Sequence, residues 1–286
     1  MCSSDLHAWA TLARASRAHL RPGDRLLLRR SGRWHGLLRI ASDGLPGDAA
    51  VVGAYGRGRR PRLTGGCVEV AGSDVVVQDL ATRGCDWWGV HVLGDRVTVR
   101  RVLSAGNIAG ISIDRGADDV RVVDDLLIDN DRLAPGTDGP DDDYGANGVE
   151  VLGDRAVIAR NLIIGSVAPS PDYGQDGSAI EIYEAVGTRV RDNLARDNLT
   201  FTELGSELTA DTRYDDNTVR SSVPDSSFLI TRGPGDAWGP VFGTVALGND
   251  VLLSGRGSFL TWCGGTCGSD VLDLTGNLLR LGRDRY

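Results

Sequence analysis

Five short segments of the chain share one pattern of apolar, polar and apolar residues: Val68-Glu69-Val70, Val90-His91-Val92, Ile111-Ser112-Ile113, Val149-Glu150-Val151 and Ile180-Glu181-Ile182. Three of them directly follow a glycine: Gly89, Gly110 and Gly148. A short polar turn comes next, such as Gly94-Asp95-Arg96 or Gly153-Asp154-Arg155. A second alternating strand then follows, as in Val97-Thr98-Val99, Val120-Arg121-Val122 and Val157-Ile158-Ala159, and a third closes the unit, as in Leu126-Leu127-Ile128 and Leu162-Ile163-Ile164. Three short strands in a repeat of about 21 residues predict one coil of a parallel β-solenoid. Period-two alternation sends Val, Ile and Leu into the coil and the residue between them outward. A polar row before the third strand, Asp79, Arg101, Asp125, Asn161 and Asn193, is expected to stack as a ladder at the turn and to serve the backbone rather than chemistry. A dinucleotide-binding βαβ fold is excluded, because the strands lie too close together for crossover helices and no GxGxxG opens a helix. An antiparallel sandwich is the remaining alternative, and it leaves the recurring register unexplained.

Upstream, His7 to Leu20 reads as a helix ending at Pro22-Gly23, with Trp9, Leu12 and Ala13 on its apolar side, placed to cap the open end of the solenoid. Leu26 to Leu63 then supplies the first coils. Pro22-Gly23-Asp24-Arg25-Leu26, Gly32-Arg33-Trp34 and the run from Gly53 through Gly58 to Pro61 resemble the opening coils of secreted right-handed parallel β-helix proteins of the pectate-lyase-like kind. The likeness covers about His7 to Leu279. It implies an all-β, right-handed parallel β-helix with three strands per coil and a short N-terminal capping helix. It also implies an extracellular protein acting on acidic or neutral polysaccharides, as a lyase, hydrolase, epimerase or non-catalytic binder. The sharper signatures of that group do not occur: neither Asn-Thr-Asp nor Gly-His-Gly of polygalacturonases is present, nor Asp-Pro-His of mannuronan epimerases. An arginine-base mechanism like that of pectate lyases stays open, with no motif to single out one arginine.

Composition narrows the function further. The 286 residues are 41% hydrophobic and 24% charged, enough to bury a core. The 31 basic residues are all arginine, which excludes a lysine base, a Schiff base and a P-loop lysine. A net charge of −8 argues against nucleic acid as a partner, and no apolar run is long enough for a membrane span. Met1 to Leu6 reads as a translated adapter scar, with residues 7–286 as a single domain cut at both ends, so no signal peptide is to be expected in view. Cys263 with Cys267 and Cys67 with Cys85 are candidate disulfides, the alternative being four buried thiols. The expected protein is a secreted or cell-surface monomer.

The outward residues of the first strand, Glu69, His91, Ser112, Glu150 and Glu181, form a polar stripe with neighbours about 4.8 Å apart. Its last two steps exceed a coil by roughly 17 and roughly 10 residues, inserted before the strand as Ala134–Asn147 and Val167–Asp176. Both insertions contain Asp-Tyr-Gly and open onto a glutamate strand. Glu150 and Glu181 are therefore the candidate catalytic pair, with His91 as a general base. The bland alternative is two solvated glutamates and a surface histidine. Trp87, Trp88, Tyr144 and Tyr183, with Ser112 and Asp114, are candidate substrate contacts. Asp141, Asp142 and Asp143, with Asp172 and Asp176, form an oxygen-rich set of the kind calcium prefers, although no cofactor is required by the chemistry. Glu203 and Glu207 follow the last clear repeat without an assigned register. The expected activity is cleavage of a polysaccharide in a groove along the β-helix, by a lyase or a glycoside hydrolase. A non-catalytic glycan binder or surface spacer is the rival.

Overall fold

The structure is a computed structural model that describes residues 8–136 and 142–282. Alternation decides its architecture, because each coil turns its Val, Ile and Leu inward against the next. Val68, Val90, Ile111, Val149 and Ile180 stack in one fully buried row, and Val70, Val92, Ile113, Val151 and Ile182 in a second. The strands pair in parallel, coil upon coil. One ten-stranded sheet runs from Arg25–Arg29 through Val75–Gln78 and Val157–Ala159 to Leu272–Asp273. Seventeen more strands make a sheet bent into two faces, joined where the long strand Arg62–Val70 pairs with both Ala81–Cys85 and Trp88–Val92. This is a parallel β-helix, as the repeat predicts.

The turns are held by two different devices. Asp74, Arg96, Asp119 and Arg155 at one corner, and Asp79, Arg101, Asp124 and Arg160 at the next, all adopt the left-handed conformation. Alternating acid and base down each row pairs neighbouring coils, as in Arg96–Asp74 (2.9 Å) and Arg160–Asp124 (2.8 Å). These guanidinium forks suit paired carboxylate oxygens, which a lysine would not match. The second device is a buried ladder of Asp125, Asn161, Asn193, Asn217 and Asn249, ending on Asn277. Each side-chain oxygen accepts an amide from the coil before it, and each Asn Nδ2 from Asn161 onward also donates to a buried backbone carbonyl. The expected polar row is thus corrected. Asp79 and Arg101 belong to the partly exposed corner, one residue earlier in the turn, and Val102 takes the place beside Asp125.

The N-terminal helix is also shorter than expected. It spans Leu12–Ala15, capped by the Thr11 side chain, while His7 and residues 1–6 lie outside the described residues. Beyond Ser16 the chain gives its polar groups to the first coil instead of to a helix. The Ser16 hydroxyl accepts from the Arg39 amide (3.0 Å), and the Leu20 amide donates to Ser42 Oγ (3.0 Å). Leu12 and Ala15 reach the core, whereas Trp9 and Ala13 face solvent. Both expected disulfides form: Cys67–Cys85 ties adjacent coils and Cys263–Cys267 closes a tight loop. No helix among the described residues is long and apolar enough to cross a membrane.

Candidate active site

The outward residues of the first-strand face fall in register without a slip. Arg39, Glu69, His91, Ser112, Glu150, Glu181, Glu203, Ile230 and Trp262 are successive partners in one column. A second column, displaced along the strands, runs Trp88, Ala109, Asn147, Ser178, Thr200, Ser227 and Phe259. Between the columns the strand turns a residue into the coil, and there Gly89, Gly110 and Gly148 explain the recurring glycine. A Cβ on Gly110 would lie 2.6 Å from the Gly148 carbonyl oxygen and 2.7 Å from Asn130 Nδ2.

Around the middle of the column the polar groups converge. Ser112 Oγ donates to Glu150 Oε2 (2.6 Å), and the Tyr144 hydroxyl donates to the same carboxylate. Tyr144 is held from behind by Trp88 Nε1 (3.2 Å), and Trp88 stacks on His91 with ring centroids 4.0 Å apart. His91 Nε2 lies 3.0 Å from Asp114 Oδ2. Asn147 Nδ2 donates to Glu181 Oε2 (2.7 Å). Glu203 receives the Tyr183 hydroxyl (3.2 Å) and the Arg232 guanidinium (2.7 Å) on one oxygen. Arg115, which follows the Ser112 strand, reaches over to Glu184 (2.8 Å) beside the Glu181 strand.

Electrostatics separate the two central glutamates. Burial raises the Glu150 carboxyl above its ordinary value, but hydrogen bonds from Ser112 and Tyr144 pull it back down. Glu181 is raised well above its ordinary value, by burial first and then by the charges of Glu150, Glu203 and Asp176. Asp176, at the base of the second insertion, is pushed up to about 7 by burial and by Glu203. Hydrogen-bond donors favour a charged carboxylate and neighbouring anions disfavour one. These surroundings favour the charged form more at Glu150 than at Glu181.

No protein-family model matches the chain, and no curated protein does. Solved structures match along nearly its whole length. An alginate lyase from Paenibacillus sp. str. FPU-7 superposes with a TM-score of 0.69 at 16% identity, over 96% of this chain and 98% of that one. A pectate lyase gives 0.59 at 14% identity, over 96% and 75%. A lacto-N-biosidase from Eubacterium ramulus gives 0.55 at 13% identity, over 97% and 65%. The fold is the right-handed parallel β-helix of pectate-lyase-like proteins. At these identities the likeness reaches the fold alone, so any chemistry must be argued from the residues of this β-helix.

Of the residues singled out in the sequence, His91, Ser112, Asp114, Tyr144, Glu150, Glu181, Tyr183 and Trp88 are brought into one connected patch of the β-helix. Trp87 sits at its margin, half-exposed, 5.7 Å from Trp88 and 6.4 Å from Tyr144 between ring centroids. The aspartates expected to hold a metal divide. Asp142 and Asp143 meet Asp172, with carboxylate oxygens within 4.8 Å of one another, whereas Asp176 is not in that group and feels the charge of Glu203 as well as those of Asp143 and Asp172. Asp141 lies outside the described residues. The trio stitches the two insertions together, since Asp172 Oδ2 accepts the amides of Asp142 (3.1 Å) and Asp143 (3.3 Å). Sequence reasoning missed Asn147 and Arg232, and it left Glu203 without a register. Glu203 was within reach, because it follows Glu181 by 22 residues, the same step that separates Glu69 from His91.

Proposed function

We propose that this protein is a carbohydrate-active enzyme, a glycoside hydrolase cleaving a neutral polysaccharide laid along the first-strand face. The observation that carries the reading is the Glu150–Glu181 pair: in register on adjacent coils, mostly buried, and given unequal proton affinities by their surroundings. Glu181, protonated, donates to the glycosidic oxygen. Glu150, charged and oriented by Ser112 and Tyr144, attacks the anomeric carbon as its bond to the protonated leaving oxygen breaks, and a water deprotonated by Glu181 then hydrolyses the glycosyl ester. Strand spacing of about 4.8 Å matches the close carboxylates of retaining glycosidases, about 5–5.5 Å apart, better than the wider inverting pair. His91, fixed between Trp88 and Asp114, positions the Tyr144–Trp88 wall. The acidic column itself favours an uncharged glycan. Two disulfides support a secreted or cell-surface setting.

One observation favours a second reading, a uronate lyase. The Asp142–Asp143–Asp172 oxygens are the ligands through which calcium would be held, and calcium would offset the charge of an acidic polymer there. A polysaccharide panel, read for reducing ends and for ultraviolet absorbance, separates the two. Reducing ends without absorbance, lost in Glu150→Gln and Glu181→Gln, support the hydrolase. Absorbance from a new ring double bond supports the lyase. Activity that survives both substitutions removes the catalytic assignment.

A further inference from the structure

Beyond Glu203 the column changes character. The acids give way to Ile230 and then Trp262, two and three coils from Glu181, or roughly 10 and 14 Å along the axis. The surface here is concave. A groove of about 400 Å³ is lined by Tyr173, Gln175, Thr200, Asp225, Ile230 and Phe259, between the tip of the second insertion and the last coils. That volume falls in the lower part of the range for small-molecule clefts, about 300–1,000 Å³.

The indole of Trp262 is held in place and still open. The Arg232 guanidinium lies over its ring, 5.1 Å from the centroid, and is itself anchored by Glu203 (2.7 Å) and Asp236 (3.6 Å). Gly264 leaves room for the ring, since a Cβ there would come within 2.8 Å of Trp262 Cη2. Despite this anchoring Trp262 is 46% exposed, and Tyr173 at the rim of the groove is 56% exposed. Keeping such apolar surface wet costs solvation that folding would otherwise recover. Trp262 lies outside the lining of the groove, next to Ile230 in the column. A pinned aromatic face one coil beyond a groove that carries amide, hydroxyl and carboxylate side chains suits a run of pyranose rings, with their apolar C–H faces and rims of hydroxyls.

We propose that Trp262, Phe259 and Tyr173 form a glycan subsite two to three coils from Glu181, so that the polymer runs along the helix axis and is cut internally. This rests on the hydrolase reading for the position of the cut, but the binding it claims does not need catalysis. The test uses the full chain carrying Glu181→Gln, run by affinity electrophoresis through gels containing galactomannan, xyloglucan, mixed-linkage β-glucan or arabinogalactan. The expected result is retardation by at least one polymer. Adding Trp262→Ala should weaken that retardation about tenfold, the equivalent of about 1.4 kcal/mol, and Trp262→Phe should restore most of it. Tyr173→Ala, at an exposed ribbon tip outside the coils, should weaken it several-fold and controls for misfolding of the Trp262 variant. No retardation by any of the four polymers overturns the subsite, and so does equal retardation of the parent, Trp262→Ala and Tyr173→Ala proteins. Products from the wild type together with Trp262-independent retardation sink the subsite and spare the Glu150–Glu181 reading. Trp262-dependent retardation without products from the wild type does the reverse.

Discussion

The buried ladder contains one acid where its pattern calls for an amide, and replacing Asp125 by Asn should remove a pH dependence from the fold. Asp125 Oδ1 accepts the Val102 amide (2.7 Å), and its own amide donates to Asn161 Oδ1 (2.9 Å), as in every later rung. Its Oδ2 is buried without a hydrogen-bond partner, in the place where each asparagine below presents an Nδ2 donor. For Asn161 that donor goes to the Val122 carbonyl, whose register partner one coil back is Val99. Burial pushes the Asp125 carboxyl from 3.8 up to about 8. Below the lower value it is protonated in both folded and unfolded chains and costs nothing. As pH rises, the unfolded chain releases the proton first, so stability falls by about 1.4 kcal/mol per pH unit until the folded carboxyl also ionises. From 3.8 to about 8 the loss is at most roughly 6 kcal/mol. Asp125→Asn lacks that slope and supplies the missing donor. Melting temperatures of the two proteins should agree near about pH 4 and diverge toward about pH 8, with the variant higher by on the order of 10 °C. A constant offset between the two curves across that interval would refute the reasoning.

Three further outcomes follow from the same geometry. Glu203→Gln removes a negative neighbour of Glu181, which lowers the Glu181 pKa, so the alkaline limb of the pH–rate profile should move to lower pH; an unmoved limb rules out Glu181 as the acid. Gly110→Ala sets a methyl against the Gly148 carbonyl and the Asn130 amide, and should cost about 2–3 kcal/mol, read as a drop in melting temperature. If Asp142, Asp143 and Asp172 hold calcium, millimolar calcium should raise the melting temperature above that in chelator, and identical curves dismiss the metal.

How much of this was legible in the sequence depended on whether a residue's place followed from the repeat. The stripe from Glu69 to Glu181 did, because apolar–polar–apolar triplets fix both register and facing, and the structure aligns all five. Glu203 was obscured because its triplet is Thr202-Glu203-Leu204, in which a buried threonine replaces the first aliphatic. The ladder was misread by one residue in its upper coils. There the turn keeps its left-handed aspartate or arginine at the corner but has no asparagine after it, so the nearest polar residue was mistaken for a rung. The helix failed for a different reason. Its local pattern was sound, but the hydroxyls of Ser16 and Ser42 bond to partners in the first coil and N-terminal segment, drawing the chain away from helix after one turn. The Tyr144–Glu150 bond and the Arg232–Trp262 stack join residues from different loops and coils, and no spacing rule predicts such meetings.

The fold would be more stable without Glu150 and Glu181 in the acid column. Interior rows, corner ion pairs and the ladder already hold the coils, and none of them uses Glu150 or Glu181. Burial raises both carboxyls, and the charges of Glu150, Glu203 and Asp176 raise Glu181 further, so each makes the protein less stable as pH climbs from its ordinary 4.5 toward its folded value. A chain selected for stability alone would carry an amide or a threonine there, as the neighbouring column does at Asn147 and Thr200. Glu181→Gln should therefore abolish activity and, at about pH 8, raise the melting temperature by several degrees, with the gain vanishing toward about pH 4. Loss of stability in that variant at about pH 8 would mean that the carboxylate is held for structure, and the case for a catalytic pair would lose its physical basis.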